Sequence, residues 1–419
     1  MKKRVLAALW AAAMAGACGG SSSTLSAGND GGGGGSDSGS GSSSGGSGSS
    51  SGTGSSSGAS SGSSSGGSGS SSGGTDASTT CGAGKKSCGG MCVDTGNDPQ
   101  NCGGCGIVCN TTCANGVCQL VSADAGTPPV VGDNACLTVD AKSVYWGTGQ
   151  ANGSVWSVPV AGGVPVQVVG GQAAPHAMAS DGTTLYFGDQ GAGNCTGSVE
   201  AVPVGGGTAT PIAMGQCTPL DVVADATSVY WTNTGDGSVW KSDKSNPNPV
   251  NLVPAAGQGH AGYLRVDAVN VYFTDQVGGV INRVPIAGGA VTAVSTSGIP
   301  GPGHLAIDSS TAYFGSHSNT GAAMLTVPLA ASGGTANQLV VNLPAINGIE
   351  TDGMHVWFAE ATDVQPYKAS TGEIHRVTVA GKNDTILASM QNGPNCIAVD
   401  ATSIYWINTG GGTISKTGK

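Results

Sequence analysis

A short alternation of apolar and polar residues recurs along the chain after residue 130. Its clearest copy is Cys396-Ile-Ala-Val-Asp-Ala-Thr-Ser-Ile-Tyr-Trp406, where apolar residues alternate up to Asp400, a turn follows, and two aromatic residues come after a β-branched one. Alternation with a period of two predicts a half-buried strand, and the turn predicts a second strand beside it. Seven aspartates mark the copies: Asp140, Asp181, Asp225, Asp267, Asp308, Asp352 and Asp400.

These marker aspartates are 41 to 48 residues apart. A repeat of this length, built from strand-type segments, is typical of a β-propeller. The copy at residues 262–294 divides into four strands, at 263–266, 271–274, 280–286 and 290–294, with a glycine-rich turn before the last. We therefore predict an all-β fold, with a seven-bladed β-propeller of four-stranded blades over residues 119–419.

The recurrence itself assigns the marker aspartates to the scaffold. A short acceptor at a turn bonds the local backbone, and one copy per blade does not suit a single catalytic centre. The aromatic pairs, such as Tyr145-Trp146, are expected between blades. The pattern from Asp225 to Thr232 resembles the YWTD/NHL-like repeats of lipoprotein-receptor propellers. Those have six blades, so the resemblance implies the blade pattern and not the receptors' binding residues.

The two ends of the repeat array are expected to meet. The last copy reaches Lys419 after its third strand, and residues 127–131 stand where a fourth strand would precede the first copy. We predict that this N-terminal strand completes the C-terminal blade. Cys136 and Cys396 both lie four residues before a marker aspartate, in the first and last copies. A Cys136–Cys396 disulfide across the seam is therefore expected, with Cys195 and Cys217 as a second pair.

Residues 1–17 have the features of an export leader, with basic residues 2–4 followed by an apolar stretch. Two interpretations are open. Cleavage after Ala17 would give an ordinary secreted protein, whereas small residues directly before Cys18 resemble a bacterial lipobox, which implies lipidation of Cys18. Residues 18–80 are almost entirely Gly and Ser and are expected to form a disordered tether.

Residues 81–118 form a cysteine-rich segment with eight cysteines: Cys81, Cys88, Cys92, Cys102, Cys105, Cys109, Cys113 and Cys118. In a short exported segment this density predicts four disulfides, whose pairing the sequence leaves open. A zinc site at Cys102 and Cys105 would need a second matched pair, which is missing. The run at 98–109 resembles the Stig1-like cysteine-rich repeat of myxobacterial surface proteins, which implies no defined activity.

Charge narrows the set of partners. The formal net charge is −10, and the chain has only 15 Lys and Arg residues, three of them in the leader. Such a chain does not suit nucleic acid or anionic lipid headgroups. No stretch of 18 apolar residues follows the leader, so membrane attachment is expected only through lipidated Cys18. We expect a monomer, held in the cell envelope at the outer membrane or cell surface.

The candidate site follows from strand alternation. Residues four before each marker aspartate should face the central channel; this inner ring is Cys136, Ala177, Asp221, Tyr263, His304, Gly348 and Cys396. Arg265 and Glu350 lie two before their markers. His176, His260 and His317 fall in loops at the same mouth, and strand ends add Asp189, Asn233, Asp275, Glu360 and Asn408. The candidate ligand-binding residues are His176, Asp221, Tyr263, Arg265, His304, His317, Glu350 and Glu360.

This arrangement suits a small ligand, and a divalent metal is the one cofactor it could accept. Water-facing channel positions also tolerate polar residues without any function, and no catalytic motif is present. We expect a binding module for an envelope protein or glycan, without catalysis or a required cofactor. The alternative is a metal-dependent hydrolase or lyase, since propellers such as streptogramin lyases and sugar lactonases place metal sites at this mouth. A purely structural envelope protein is the third hypothesis.

Overall fold

The computed structural model describes residues 81–122, 136–193, 195–255, 261–318, 321–361, 371–380 and 383–419. The leader, Cys18, the Gly/Ser segment and His260 lie outside the described residues. Regular structure within the described residues consists of strands. No helix long and apolar enough to cross a membrane occurs among them.

The cysteine-rich segment supplies the first four strands. These are β1 (Lys85–Cys88), β2 (Met91–Asp94), β3 (Thr112–Ala114) and β4 (Val117–Val121). β1 and β2 form a two-stranded hairpin of their own, whereas β3 and β4 join a sheet of the repeat array.

The repeat array folds into seven sheets, one for each marker aspartate. Blades 1 to 3 contain β5 (Leu137–Val139), β6 (Ser143–Gly147), β7 (Gly153–Pro159), β8 (Val166–Gln172); β9 (Pro175–Ser180), β10 (Thr184–Asp189), β11 (Gly197–Pro203), β12 (Thr210–Gln216); and β13 (Pro219–Ala224), β14 (Ser228–Asn233), β15 (Val239–Asp243), β16 (Val250–Val253). Blades 4 and 5 contain β17 (Ala261–Val266), β18 (Asn270–Asp275), β19 (Val280–Pro285), β20 (Thr292–Ala293); and β21 (Pro302–Ile307), β22 (Thr311–Ser318), β23 (Gly321–Pro328), β24 (Asn337–Leu343). Blades 6 and 7 contain β25 (Ile346–Thr351), β26 (His355–Ala361), β27 (Thr371–Thr378), β28 (Asp384–Asn392); and β29 (Pro394–Val399), β30 (Ser403–Asn408), β31 (Thr413–Gly418).

The first strands of successive blades contact one another around a closed ring, from β5 through β29 and back to β5. Within blades 1 to 6 the strands pair in chain order, as do β29, β30 and β31 of blade 7. The all-β fold and the seven four-stranded blades predicted from the repeat are therefore confirmed, and the strands of blade 4 fall close to their predicted positions.

The ring is closed by a different strand from the one predicted. β4 pairs antiparallel with β31, so that Ile414 lies opposite Val121 and Lys416 opposite Cys118. β4 thus occupies the fourth position of blade 7, and β3 adds a fifth strand at its edge. Residues 127–131, to which we assigned this role, lie outside the described residues. The proposed boundary between residues 118 and 119 falls inside β4, because this one strand carries both a disulfide cysteine and the apolar residues that the blade buries.

Six disulfides are formed among the described cysteines. Four lie in the cysteine-rich segment and resolve its pairing: Cys81–Cys92, Cys88–Cys105, Cys102–Cys113 and Cys109–Cys118. The other two join the pairs expected from the repeat. Cys136–Cys396 crosses the seam between blades 1 and 7, and Cys195–Cys217 connects blade 2 to the start of blade 3. This density indicates a protein that folds in an oxidising compartment outside the cytoplasm.

Each marker aspartate holds the turn between the first two strands of its blade. Asp140, for example, accepts hydrogen bonds from the backbone N–H groups of Lys142 and Ser143 at 2.8 and 2.9 Å, and from the Tyr145 hydroxyl at 2.9 Å. The backbone bonds recur at the other six markers, and the tyrosine bond at five of them. Burial opposes ionisation, but the bonds outweigh it and lower the pKa of most markers. These carboxylates belong to the scaffold.

The aromatic pairs divide between two interfaces. Tyr230 packs with Leu264 and Phe273 of blade 4, whereas its neighbour Trp231 packs with Tyr186 of blade 2. Alternation along the strand sends adjacent rings to opposite faces of the sheet, so each blade is held to both neighbours. Burying a large apolar side chain contributes about 1.5–3 kcal/mol, and this pattern is repeated around the ring.

Candidate functional site

The first strands of all seven blades line a central cavity of about 320 Å³. Every residue of the inner ring borders this cavity, together with His176, Arg265 and Glu350. Two small positions, Ala177 and Gly348, and the Cys136–Cys396 disulfide leave room on one side. The larger polar side chains come from blades 2 to 6, and the site is therefore asymmetric although the scaffold repeats.

Arg265 is the centre of the polar side of the cavity. Its guanidinium lies between two carboxylates, with Nη1 3.2 Å from Asp221 Oδ2 and Nη2 2.7 Å from Glu350 Oε1. Asp221 Oδ2 also accepts the backbone N–H of Leu264 at 3.0 Å. The side chains of all three residues are only 16 to 25% exposed, so water weakens their attraction only in part. This bridge connects blades 3, 4 and 6 across the channel.

Burial and the neighbouring charges set the protonation of these groups. Burial lowers the pKa of the Arg265 guanidinium, but Glu350 and Asp221 outweigh it and raise the pKa above its usual value. Burial raises the pKa of Glu350, and Arg265 partly offsets this. The guanidinium therefore stays charged, and its charge is balanced by carboxylates of the protein itself.

Aromatic side chains continue the cavity wall beside Arg265. The ring of Tyr263 stacks on that of His304, with 3.8 Å between ring centroids. On the other side, His176 is 8% exposed, and its Nδ1 lies 3.0 Å from the carbonyl oxygen of Leu220. Because a carbonyl only accepts, this contact makes Nδ1 the donor and leaves Nε2 as an acceptor in the neutral ring.

The histidines of the site are neutral at physiological pH. Burial lowers the pKa of His304 to about 3, with further lowering by His317, Arg265 and His176. Burial also lowers the pKa of His176 and of His317. The pKa of the Tyr263 hydroxyl is raised by burial and by Asp221, so it keeps its proton. The cavity thus presents a mixture of neutral donors and acceptors beside one internally paired guanidinium.

Two candidate residues lie away from the cavity wall. His317, near the end of β22, packs its Nε2 against Gly303 and Gly315, so it acts on His304 only through its proximity. Glu360, near the end of β26, points into blade 6, where its Oε2 lies 3.2 Å from His375 Nε2. Strand ends predicted at the mouth behave similarly: Asn233 donates to Gln216 inside an interblade network, and Asn408 does the same to Gln391.

His375 is a buried group that no motif or spacing in the sequence singles out. It is 5% exposed and stacks on Phe358, and its Nδ1 lies 2.9 Å from Asp384 while its Nε2 faces Glu360 and Glu373. Burial lowers its pKa, but Glu360 and Asp384 outweigh this and raise it. Only the pairing of β26 with β27, which places Glu360 opposite Glu373, reveals this cluster. The ring of His375 thus connects these three carboxyl groups within blade 6.

No group of three or more His, Cys, Asp or Glu side chains in the described part of the chain has the arrangement to hold a metal ion. The side chains of the cavity offer hydrogen bonds and ring contacts. Arg265, Tyr263 and His304 present donors and aromatic surface, and Asp221, Glu350 and His176 present acceptors.

Comparison with known proteins shows a likeness in fold and none in the residues of the site. No family model matches the chain, and no curated protein matches it. Among solved structures, virginiamycin B lyase from Staphylococcus aureus is similar at 14% identity, covering 72% of this chain and 99% of that one, with a TM-score of 0.56. A streptogramin B lyase is similar at 13% identity, over 71% and 96%, with a TM-score of 0.55. A nidogen/laminin complex gives 15% identity over 57% and 91%, with a TM-score of 0.44. At these identities the two lyase structures show that the chain shares their propeller fold, and the likeness does not extend to what they bind or catalyse.

Proposed function

We propose that this protein is a binding module whose central cavity takes a small, uncharged, hydroxyl-rich ligand of the glycan type. The observation that supports this most is the convergence of unlike polar side chains from five blades on one cavity, at positions that the scaffold does not require. Marker aspartates repeat because the turn needs them, whereas Asp221, Tyr263 and His304 occupy the same strand position and differ in each blade.

The balance of charge favours a neutral ligand. Arg265 is already paired with Asp221 and Glu350, so an anionic ligand would have to displace a carboxylate. Neutral His176 and His304 add no positive charge. Hydroxyl groups both donate and accept, and so suit this mixture of partners, while a sugar ring can rest on aromatic surface such as Tyr263.

We also propose that the protein is exported and held in the cell envelope by lipid on Cys18. Twelve of its 13 cysteines form disulfides, and Cys18 is the one that remains. Intact-mass measurement of the membrane-extracted protein should give an acylated N-terminal Cys18, and Cys18→Ser should move the protein to the soluble fraction. An unmodified chain that begins elsewhere, in both fractions, contradicts the anchor while leaving the cavity proposal intact.

The binding proposal is tested by titrating the purified protein with neutral oligosaccharides from envelope glycans. His304→Ala removes one member of the ring stack and should weaken binding at least about tenfold, equivalent to about 1.4 kcal/mol. His355→Ala is the matched control, because His355 lies beside Asp352 at a turn outside the cavity lining. Equal binding by both variants, or no saturable binding by the parent protein, would refute the proposal.

A further inference from the structure

A buried imidazole in blade 6 joins carboxyl groups from three strands. His375, on β27, has its Nδ1 2.9 and 3.1 Å from the two carboxylate oxygens of Asp384, the first residue of β28. Its Nε2 lies 3.2 Å from Oε2 of Glu360 on β26 and 3.2 Å from Oε2 of Glu373 on β27 itself. The ring is only 5% exposed, so solvent screens these contacts weakly. Three of the four strands of the blade therefore meet at one side chain.

The contacts of the two ring nitrogens determine which form of the ring fits this position. A carboxylate only accepts, so Nδ1 carries a proton towards Asp384. In a neutral ring, Nε2 would then present its lone pair to two carboxylate oxygens. Nε2 is aligned with neither oxygen as a hydrogen bond, so its attraction to them comes from charge. The imidazolium suits this arrangement, and the neutral ring does not.

Strand pairing adds to the need for positive charge. Glu360 and Glu373 lie directly opposite each other across β26 and β27, and like charges at such a pair destabilise it. In the part of the chain that the structure describes, no Lys or Arg forms an ion pair with Glu360, Glu373 or Asp384. His375 is therefore the base that can offset these carboxylates.

The elements packed around the ring add no other group that would respond near neutral pH. Blade 5 covers this face with apolar residues beside Phe358, on which His375 stacks. The titratable member of that apolar cluster, Tyr313, donates its hydroxyl to Asp308 at 2.7 Å within its own blade. Arg376 follows His375 along β27 and so points to the opposite face of the sheet. A change of pH at this position therefore acts through His375 and its three carboxyl partners.

The outer strand β28 has little else to hold its side chains. One of its nine residues, Ala388, is buried. The outer strand of blade 2, β12, buries three of its seven residues, Ile212, Ala213 and Gln216. Segments with few buried apolar contacts and exposed backbone hydrogen bonds are the ones that open locally. The attachment of β28 to its blade therefore depends more on the contact between Asp384 and His375.

We propose that His375 is a pH-sensitive clamp of blade 6, whose imidazolium holds β28 and the Glu360–Glu373 pair in place and whose deprotonation releases β28 from the blade. Burial lowers the pKa of His375, but Glu360 and Asp384 outweigh this and raise it. The stabilisation is therefore complete below the ordinary pKa of about 6.5 and is lost as the pH rises through the higher value of the folded protein. Release leaves the outer edge of β27 unpaired.

The test follows amide hydrogen exchange of the full-length protein, with its disulfides intact, between about pH 6 and about pH 9, after correction for the intrinsic pH dependence of exchange. Protection of β28 should fall by at least about tenfold over this range, and by at most about tenfold per pH unit because one proton is lost. Protection of β12 should stay constant. NMR shifts of the His375 ring should titrate with the same midpoint, above about 6.5.

Three variants separate the clamp from a merely space-filling role. His375→Gln removes the charge and keeps an N–H group for Asp384, so β28 should be weakly protected throughout the range and its protection should no longer change with pH. Glu373→Gln removes one carboxylate from a side chain that is 34% exposed, and should shift the midpoint of the transition to lower pH. His355→Gln is the matched control, because His355 lies beside Asp352 at the turn between β25 and β26, and it should leave the transition unchanged.

Constant protection of β28 across the pH range would overturn the proposal. So would a transition that persists in His375→Gln, or a midpoint that Glu373→Gln does not move. If His375→Gln does not fold, the shift of the midpoint in Glu373→Gln decides the question. None of these results bears on glycan binding in the central cavity.

Discussion

Removing the Cys136–Cys396 disulfide should destabilise the protein more than removing Cys195–Cys217. The first bond joins residues 260 positions apart and the second joins residues 22 apart. If a disulfide acts mainly by restricting the unfolded chain, these separations correspond to about 5.6 and about 3.4 kcal/mol of unfolding free energy at about 25 °C. The double variant Cys136→Ala/Cys396→Ala should therefore lose about 2 kcal/mol more than Cys195→Ala/Cys217→Ala.

Equilibrium unfolding in urea measures this difference, with each double variant compared to the parent protein. The four disulfides of the cysteine-rich segment remain in both variants, and so does the pairing of β4 with β31. Both variants therefore keep the closure of the ring through β4 and β31, and only the seam variant loses the covalent closure. Equal losses in the two variants, or a smaller loss in the seam variant, would show that ring closure through Cys136–Cys396 does not restrict the unfolded chain as reasoned.

Three further outcomes follow from particular contacts. Arg265→Met leaves Asp221 and Glu350 without their cation, and should cost about 2 kcal/mol in urea unfolding at pH 7, below the ~3–5 kcal/mol of fully buried pairs because these side chains are partly exposed. The loss should shrink as the pH falls, because burial raises the pKa of Glu350 and favours its neutral form. Asp225→Ala removes an acceptor for two backbone N–H groups and the Tyr230 hydroxyl, and should lower the unfolding free energy by about 2–3 kcal/mol. Replacing an aspartate at an exposed turn that accepts no such bonds should leave the unfolding free energy unchanged. His304 has a pKa of about 3 in the folded protein and an ordinary pKa near 6.5 in the unfolded chain. Between these values the unfolded chain binds more protons, so the unfolding free energy falls as the pH drops below about 6.5. His304→Gln should reduce this pH dependence by at most about 1.4 kcal/mol per pH unit, measured in unfolding curves recorded at successive pH values.

Strand alternation was sufficient to predict most of the cavity. Because side chains alternate between the two faces of a strand, the position of Asp267 in its turn also determines where Tyr263 and Arg265 point. The same argument placed His304 and Glu350 at the cavity. The contacts among these side chains did not follow from the alternation, because the bridge from Arg265 to Glu350 joins strands two blades apart.

Features that depend on which strands pair could not be predicted from the sequence. Glu360 lies near the end of β26, close to the mouth, but its side chain points towards His375 of the paired strand β27, inside blade 6. The closing strand was misplaced for a related reason. Cys118 belongs to the cysteine-rich segment by composition, and only its pairing opposite Lys416 shows that β4 is also part of blade 7.

The claim that the central cavity binds the ligand is tested most directly by hydroxyl-radical footprinting, with and without the neutral oligosaccharide that binds most tightly. Oxidation of Tyr263, His304 and His176 should fall on binding, because these reactive side chains border the cavity. Exposed Met214 and Met390, on the outer strands of blades 2 and 6, should be oxidised at unchanged rates. Protection of the two methionines, with no change at the cavity residues, would place the binding surface elsewhere and contradict the account.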